Sequence, residues 1–142
     1  MMRRYVSTDI PEIREFFKED PHLLIRLEAG LQALDLLYFD IWVARDEQDA
    51  VQGVLFRSYG DFYLRLTPQA DLQEVSAFLG FMPMLYSLSG EESVMQELLP
   101  MLKRVRSTTI CTVARQAQPP EPLSFRLIFD KTERTEDFRM VY

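Results

Sequence analysis

The chain has little cysteine, histidine or glycine to work with. Cys111 is the one cysteine among 142 residues, so no disulfide forms within the chain and folding rests on an apolar core. This fits a cytoplasmic, reducing location, although a disulfide-free secreted domain would look the same. Cys111 falls in a β-branched stretch with no neighbouring base, which is the setting of a buried, inert thiol. His22 is the single histidine, and Ile25 and Arg26 stand three and four residues on, so it has no helical partner for a metal. Five glycines form neither a P-loop nor a G-x-S-x-G elbow, and H-E-x-x-H and C-x-x-C spacings are also missing. No apolar run approaches the roughly 18 residues needed to span a membrane, and the opening MMRRYVSTDI has no signal core.

Positive charge is the other scarcity. Sixteen Lys and Arg against twenty-two Asp and Glu leave a formal charge of −6, and such a surface repels phosphate backbones, so nucleic acid is not an expected partner and neither is a membrane. The basic groupings are Arg3-Arg4 and Lys103, Arg104, Arg106; the second is expected in the last turn of a helix, where cations complement the dipole. What is present is an ordinary globular composition, 47% hydrophobic, 12% aromatic and 27% charged. One domain over residues 1–142 is expected, burying roughly 70% of the surface of the unfolded chain.

A short strand, Arg3 to Ser7, is followed by Asp9-Ile10-Pro11-Glu12, which reads as a capping box opening a helix to about Glu19 with Ile10, Ile13, Phe16 and Phe17 on one stripe. Asp20-Pro21 starts a second helix carrying Leu23, Leu24, Leu27, Leu31 and Leu34. Gly30 within it marks a close helix contact or a bend. A three-stranded meander is expected next, from Asp40 to Arg45, Gln52 to Ser58, and Phe62 to Leu66. Its second hairpin turns at Tyr59-Gly60-Asp61, and the consecutive Val54-Leu55-Phe56 suits a central strand covered on both faces.

Asp71, with Glu74 three residues on, caps a third helix that ends at Gly80 in a left-handed cap. A strand over Met84 to Leu88 follows, and Ser89-Gly90-Glu91-Glu92 reads as a further capping box. The fourth helix carries Val94, Met95, Leu98, Leu99, Leu102 and Val105 and is kinked or split by Pro100. Two strands close the order, Thr108 to Ala114 and the alternating Leu123 to Phe129, joined by a proline-bearing loop from Gln116 to Pro122. The segment Asp130 to Tyr142 is charged and then apolar, an extension of the fold or a linker to an absent domain. The carboxylate pairs Asp35 with Asp40 and Glu91 with Glu92 are what an acidic chain produces by chance.

This order of elements, with the opening RRYVSTDIPEIREFF, resembles the GNAT superfamily of N-acetyltransferases, and in particular the degenerate first lobe of tandem GNAT proteins. The resemblance implies an α+β fold, a mixed and mostly antiparallel central sheet flanked by about four helices. In active members the loop after the fourth strand carries an Arg or Gln-x-x-Gly-x-Gly or Ala pattern whose N–H groups hold the acetyl-CoA pyrophosphate. Here Thr67-Pro68-Gln69-Ala70-Asp71-Leu72-Gln73-Glu74 stands in that place, with no glycine, with a proline that has no N–H, and with carboxylates at the helix start. Active members also place a tyrosine near the fourth helix and often a glutamate on the fourth strand. Glu91 to Val105 has no tyrosine, and Phe62 to Thr67 offers only Tyr63 and Arg65; Tyr86 is the nearest substitute. No residue is therefore assigned a catalytic, cofactor-binding or metal-ligating role.

Three readings follow. The first is a non-catalytic GNAT-like lobe that positions substrate or a partner, with no cofactor of its own and a second GNAT domain as partner. The second is an active N-acetyltransferase using acetyl-CoA through an atypical loop. The third is an interaction module that forms a homo-oligomer through an exposed strand or an apolar helix face.

Overall fold

The computed structural model describes residues 2–32, 38–102, 105–111 and 124–129, with side chains described for 2–32, 38–102 and 126–129. Strand β1 (Met2–Arg4) leads through a 3₁₀ turn (Ser7–Asp9) into helices α1 (Ile10–Phe16) and α2 (Pro21–Gln32). Strands β2 (Phe39–Arg45), β3 (Val51–Ser58) and β4 (Asp61–Leu66) form the meander, followed by α3 (Leu72–Gly80) and β5 (Ser87–Glu91). The chain continues through α4 (Glu92–Leu98), a 3₁₀ turn (Leu99–Met101), β6 (Val105–Cys111) and β7 (Ser124–Phe129). The seven strands make one sheet in the order β1-β2-β3-β4-β5-β7-β6, antiparallel throughout except for the parallel pair β4 and β5. The expected class and the mixed, mostly antiparallel sheet with four helices are borne out.

Strand alternation divides the apolar residues between two cores. Ile41, Val43, Val54 and Phe56 pack with Ile13 of α1, Phe17 at its C-cap and Leu27 of α2 on one face. Leu55, Phe62, Leu64, Leu88 and Leu127 pack with Val75, Leu79, Met95 and Leu98 of α3 and α4 on the other. Val54, Leu55 and Phe56 thus point alternately into the two cores, which is why β3 reads as a continuous apolar run. Each fully buried Leu, Ile or Phe contributes about 2–3 kcal/mol through removal of its surface from water. Gly30 is the expected close contact, since a Cβ there would collide with the ring of Phe39.

Several local readings give way to tertiary contacts. Asp9 does not cap α1: its carboxylate accepts from Val6 N at 2.8 Å, from Arg3 at 3.1 Å and from Arg45 at 3.0 Å. Glu12 turns to Arg45 at 2.7 Å. The two guanidinium groups give Asp9 several charge-assisted bonds with opposite full charges, in place of the N–H groups of a cap. Helix α1 ends at Phe16 rather than near Glu19.

Strand β5 starts three residues later than expected because Tyr86 N and Ser87 N both donate to Gly60 O, at 2.9 and 3.1 Å, before the ladder begins. Gly90 is consequently a strand residue and not part of a cap. A Cβ there would lie 2.9 Å from Met95 Sδ and 3.0 Å from Leu64 O, so α4 crosses where only hydrogen fits.

Gly80 has no left-handed backbone. Helix α3 ends instead in tightened turns, with Phe81 N donating to Phe78 O and Met82 N to Leu79 O, both at 3.1 Å. Such short-range bonds satisfy the terminal carbonyls without a glycine cap. The left-handed position of the β3–β4 hairpin falls on Tyr59, φ 57°, whose ring stacks on Tyr38 at 5.0 Å.

Pro100 splits the fourth helix, as expected, but helical structure stops at Met101. Of the basic run, Arg106 lies in β6 with Val105 and not at a helix end, and Lys103 and Arg104 lie outside the described residues. Strand β6 begins at Val105 rather than Thr108. Leu34, Asp35, the loop 116–122, the segment 130–142 and the side chain of Cys111 also lie outside what is described.

Candidate functional site

The parallel pair decides where a site can form. Strands β4 and β5 are paired from Asp61↔Ser87 to Leu64↔Gly90, and there the pairing stops. Strand β4 runs on to Leu66 held by β3 alone, through Gly53↔Leu66. A notch of about 410 Å³ opens at this end, lined by Glu15 and Phe16 in the last turn of α1, by Lys18 and Glu19 just after it, by Arg65 to Pro68, and by Glu91 at the end of β5.

Its side chains are anchored from α1 and α2. Arg65 pairs with Asp20 at 3.5 Å, and its guanidinium lies 5.6 Å from the centre of the Phe16 ring, a cation–π geometry. Lys18 reaches Glu15 at 3.4 Å, and Glu91 accepts from Ser93 Oγ at 3.3 Å. Three carboxylates and two cations therefore face the notch, a polar rim suited to binding and orienting a charged or amine-bearing group. Among the described residues no cluster of His, Cys, Asp or Glu could hold a metal, and no helix is long and apolar enough to cross a membrane.

The loop leaving β4 is tied to its surroundings. Thr67 N donates to Gln52 O at 2.8 Å, Thr67 Oγ1 bonds Gln52 Oε1 at 2.6 Å, and Ala70 N closes a turn on Thr67 O at 3.1 Å. Asp71 is the N-cap of α3, accepting from Gln73 N at 3.0 Å and Glu74 N at 3.2 Å. The helix start is thus occupied by a carboxylate of the chain itself, with Glu74 in the same turn.

The other end of the sheet is closed. Asp61 accepts from Ser87 Oγ at 2.5 Å and from Arg126 at 3.3 Å. Nearby, buried Asp40 pairs with Arg57 at 2.7 Å and with Arg4 at 2.7 Å. Tyr86, the nearest substitute for a general acid, precedes Ser87 and so stands at this closed end, away from the notch. Tyr63 lies under Arg26, which donates to its hydroxyl at 3.2 Å. His22 is half-buried in the first turn of α2.

Comparison with solved structures decides which fold this is. The GNAT superfamily phosphinothricin acetyltransferase from Sinorhizobium meliloti, solved with acetyl-CoA, superposes with a TM-score of 0.53 at 14% identity over 97% of this chain and 96% of that one. Mutant forms of the spermidine/spermine N-acetyltransferase from Vibrio cholerae give 0.53 at 8% identity over 99% and 97%. The fold is that of the GNAT acetyltransferases. No family model and no curated protein matches the sequence. At these identities the likeness establishes the GNAT fold, whereas chemistry has to be argued from the residues.

Sequence reasoning singled out the GNAT loop at Thr67 to Glu74 but missed the notch wall from Glu15 to Glu19. The signal was faint: those residues read as a helix end, and only the packing of α1 on β3, the neighbour of β4, brings them to Arg65. The network of Arg3, Asp9, Glu12 and Arg45 was missed for the same reason, since its bonded pairs are up to 36 residues apart. Burial opposes ionisation of Asp9, but the Val6 N–H, Arg3 and Arg45 outweigh it and hold its pKa below the ordinary 3.8. The Glu12 hydrogen bond is the main reason that Arg45 is still harder to deprotonate than usual.

Proposed function

We propose that this chain is a GNAT-fold lobe that does not itself transfer acetyl groups, and that it binds and orients a substrate or a second GNAT domain. The observation that carries the reading is the start of α3, where the Asp71 carboxylate already takes the Gln73 and Glu74 N–H groups. A pyrophosphate needs those donors and the positive helix end. Thr67 and Ala70 donate within the loop, and Pro68 has no N–H. At about 4 Å, each pair of like unit charges costs of the order of 4 kcal/mol at an effective dielectric near 20. The residues present therefore do not fit the acetyl-CoA pyrophosphate in the usual way. On this reading residues 1–142 act as one binding domain, and the notch is its recognition surface.

A second reading is favoured by the notch itself, a pocket of about 410 Å³ where β4 and β5 part. It holds that the chain is an active N-acetyltransferase that takes acetyl-CoA by an atypical loop and acetylates an amine. One titration separates the two. A ligand that binds the folded state alone raises Tm by mass action, so acetyl-CoA at millimolar concentration is expected to leave Tm unchanged and to give no calorimetric heat. A saturable Tm rise with matching heat would overturn the first reading in favour of the second.

A further inference from the structure

A chain of hydrogen bonds joins the turn between β2 and β3 to the wall of the notch. In the turn, Asp46 Oδ1 accepts from Gln48 N and Ala50 N, both at 2.9 Å, and the backbone passes through Asp49 in a left-handed conformation, φ 65°. Arg45 donates to Asp49 O at 2.6 Å, which ties the same turn to the Asp9 and Glu12 carboxylates. The other oxygen, Asp46 Oδ2, accepts from Gln52 Nε2 at 2.9 Å, and Gln52 Oε1 accepts from Thr67 Oγ1 at 2.6 Å. Asp46, Gln52 and Thr67 are each half-buried, and Thr67 and Pro68 line the notch.

Donor and acceptor chemistry fixes the direction of both links. A carboxylate only accepts, so the amide nitrogen of Gln52 faces Asp46 and its carbonyl oxygen faces Thr67. An amide oxygen also only accepts, so the Thr67 hydroxyl gives its one hydrogen to Gln52 and keeps lone pairs alone for other partners. Gln52 holds Thr67 a second time through the backbone, Thr67 N donating to Gln52 O at 2.8 Å.

We infer that Gln52 is the positioning residue of the Thr67–Pro68 wall, and that through its side chain the order of the β2–β3 turn and the order of this wall are linked. Bonds in series polarise one another away from bulk water, so loosening one weakens the next. The use of this link by a ligand rests on the notch being the recognition surface. The link itself is measured without ligand, so the two readings fail separately.

Native-state hydrogen exchange of the full chain, read by NMR, tests it. Rates at the Gln48 and Ala50 amides are taken relative to those of the core residues Leu55 and Leu64, which removes any global change of stability. Thr67→Val deletes the hydroxyl and keeps the shape; it is expected to speed both turn amides at least ~3-fold, part of the roughly fivefold that one hydrogen bond is worth. Thr67→Ser keeps the hydroxyl and is expected to keep the parent rates. Coupling is reciprocal, so Asp46→Asn should speed the Ala70 amide, which closes on Thr67 O, by a similar factor. Gln52→Leu is expected to loosen both ends, and Thr67→Val added to it should change the turn no further. Turn amides that stay at the parent rate in Thr67→Val overturn the inference, as does an Ala70 amide that ignores Asp46→Asn. A Thr67→Ser protein that behaves like Thr67→Val, or an effect of Thr67→Val that survives in the Gln52→Leu background, overturns it as well.

Discussion

The two ends of the parallel pair β4 and β5 are built differently. At the Asp61 and Ser87 end a carboxylate bridges both strands and Arg126, and Gly60 O receives two N–H groups. At the Leu66 and Glu91 end the ladder has stopped, and the strands frame a notch with a polar rim. The same pair of strands thus serves as structure at one end and as surface at the other. The difference teaches that a concave surface lined by side chains opens where the ladder stops.

Five variants would break or sharpen this contrast. Gly90 stands at the last paired position, and Gly90→Leu should cost about 3 kcal/mol in urea unfolding, the upper part of the overpacking range, because Met95 and the Leu64 carbonyl leave no room. If that variant were as stable as the parent, the pairing limit would not be set by close approach. At the closed end, Asp61→Ala leaves the Ser87 hydroxyl, whose residue is 1% exposed, without its acceptor. A loss of about 2 kcal/mol is expected, read from the same denaturation curves.

At the open end, Asp71→Ala should cost about 1 kcal/mol as a lost N-cap. Asp71→Asn with Glu74→Gln removes the charges and keeps a cap. It should bind inorganic pyrophosphate at least ~10-fold more tightly than the parent, about 1.4 kcal/mol, in calorimetry. Equal affinities would show that the carboxylates do not exclude anions. The smallest effect is in acid. Because the folded pKa of Asp9 is depressed, its contribution to stability is present above the ordinary 3.8 and is lost as the pH falls through the lower folded value. Asp9→Asn should therefore flatten the acid limb of the urea midpoint against pH, and an unchanged limb would remove Asp9 from the account.

Most of the element order was legible, and for local reasons. The Tyr59-Gly60-Asp61 turn, the alternation in β4 and the Asp71 cap each depend on residues within a few positions of one another. The errors fall where a distant group outcompetes a local one. Asp9 resembles a cap until Arg3 and Arg45 arrive. Ser89 resembles a helix cap until β5 claims it; α4 does start at Glu92, with Glu91 as its N-cap. Glu91 was legible as an acidic residue but not as a wall of the notch.

The sequence by itself determined the kind of sheet, the two-sided burial of β3, and the negative start of α3, because propensity, periodicity and a capping carboxylate act over one or two turns. Tertiary structure alone decided where β4 and β5 part, which carboxylates meet which guanidinium groups, and that Phe81 stands exposed at the end of α3. Those outcomes depend on register and packing between segments tens of residues apart, and no local pattern encodes the distance at which a strand pair stops.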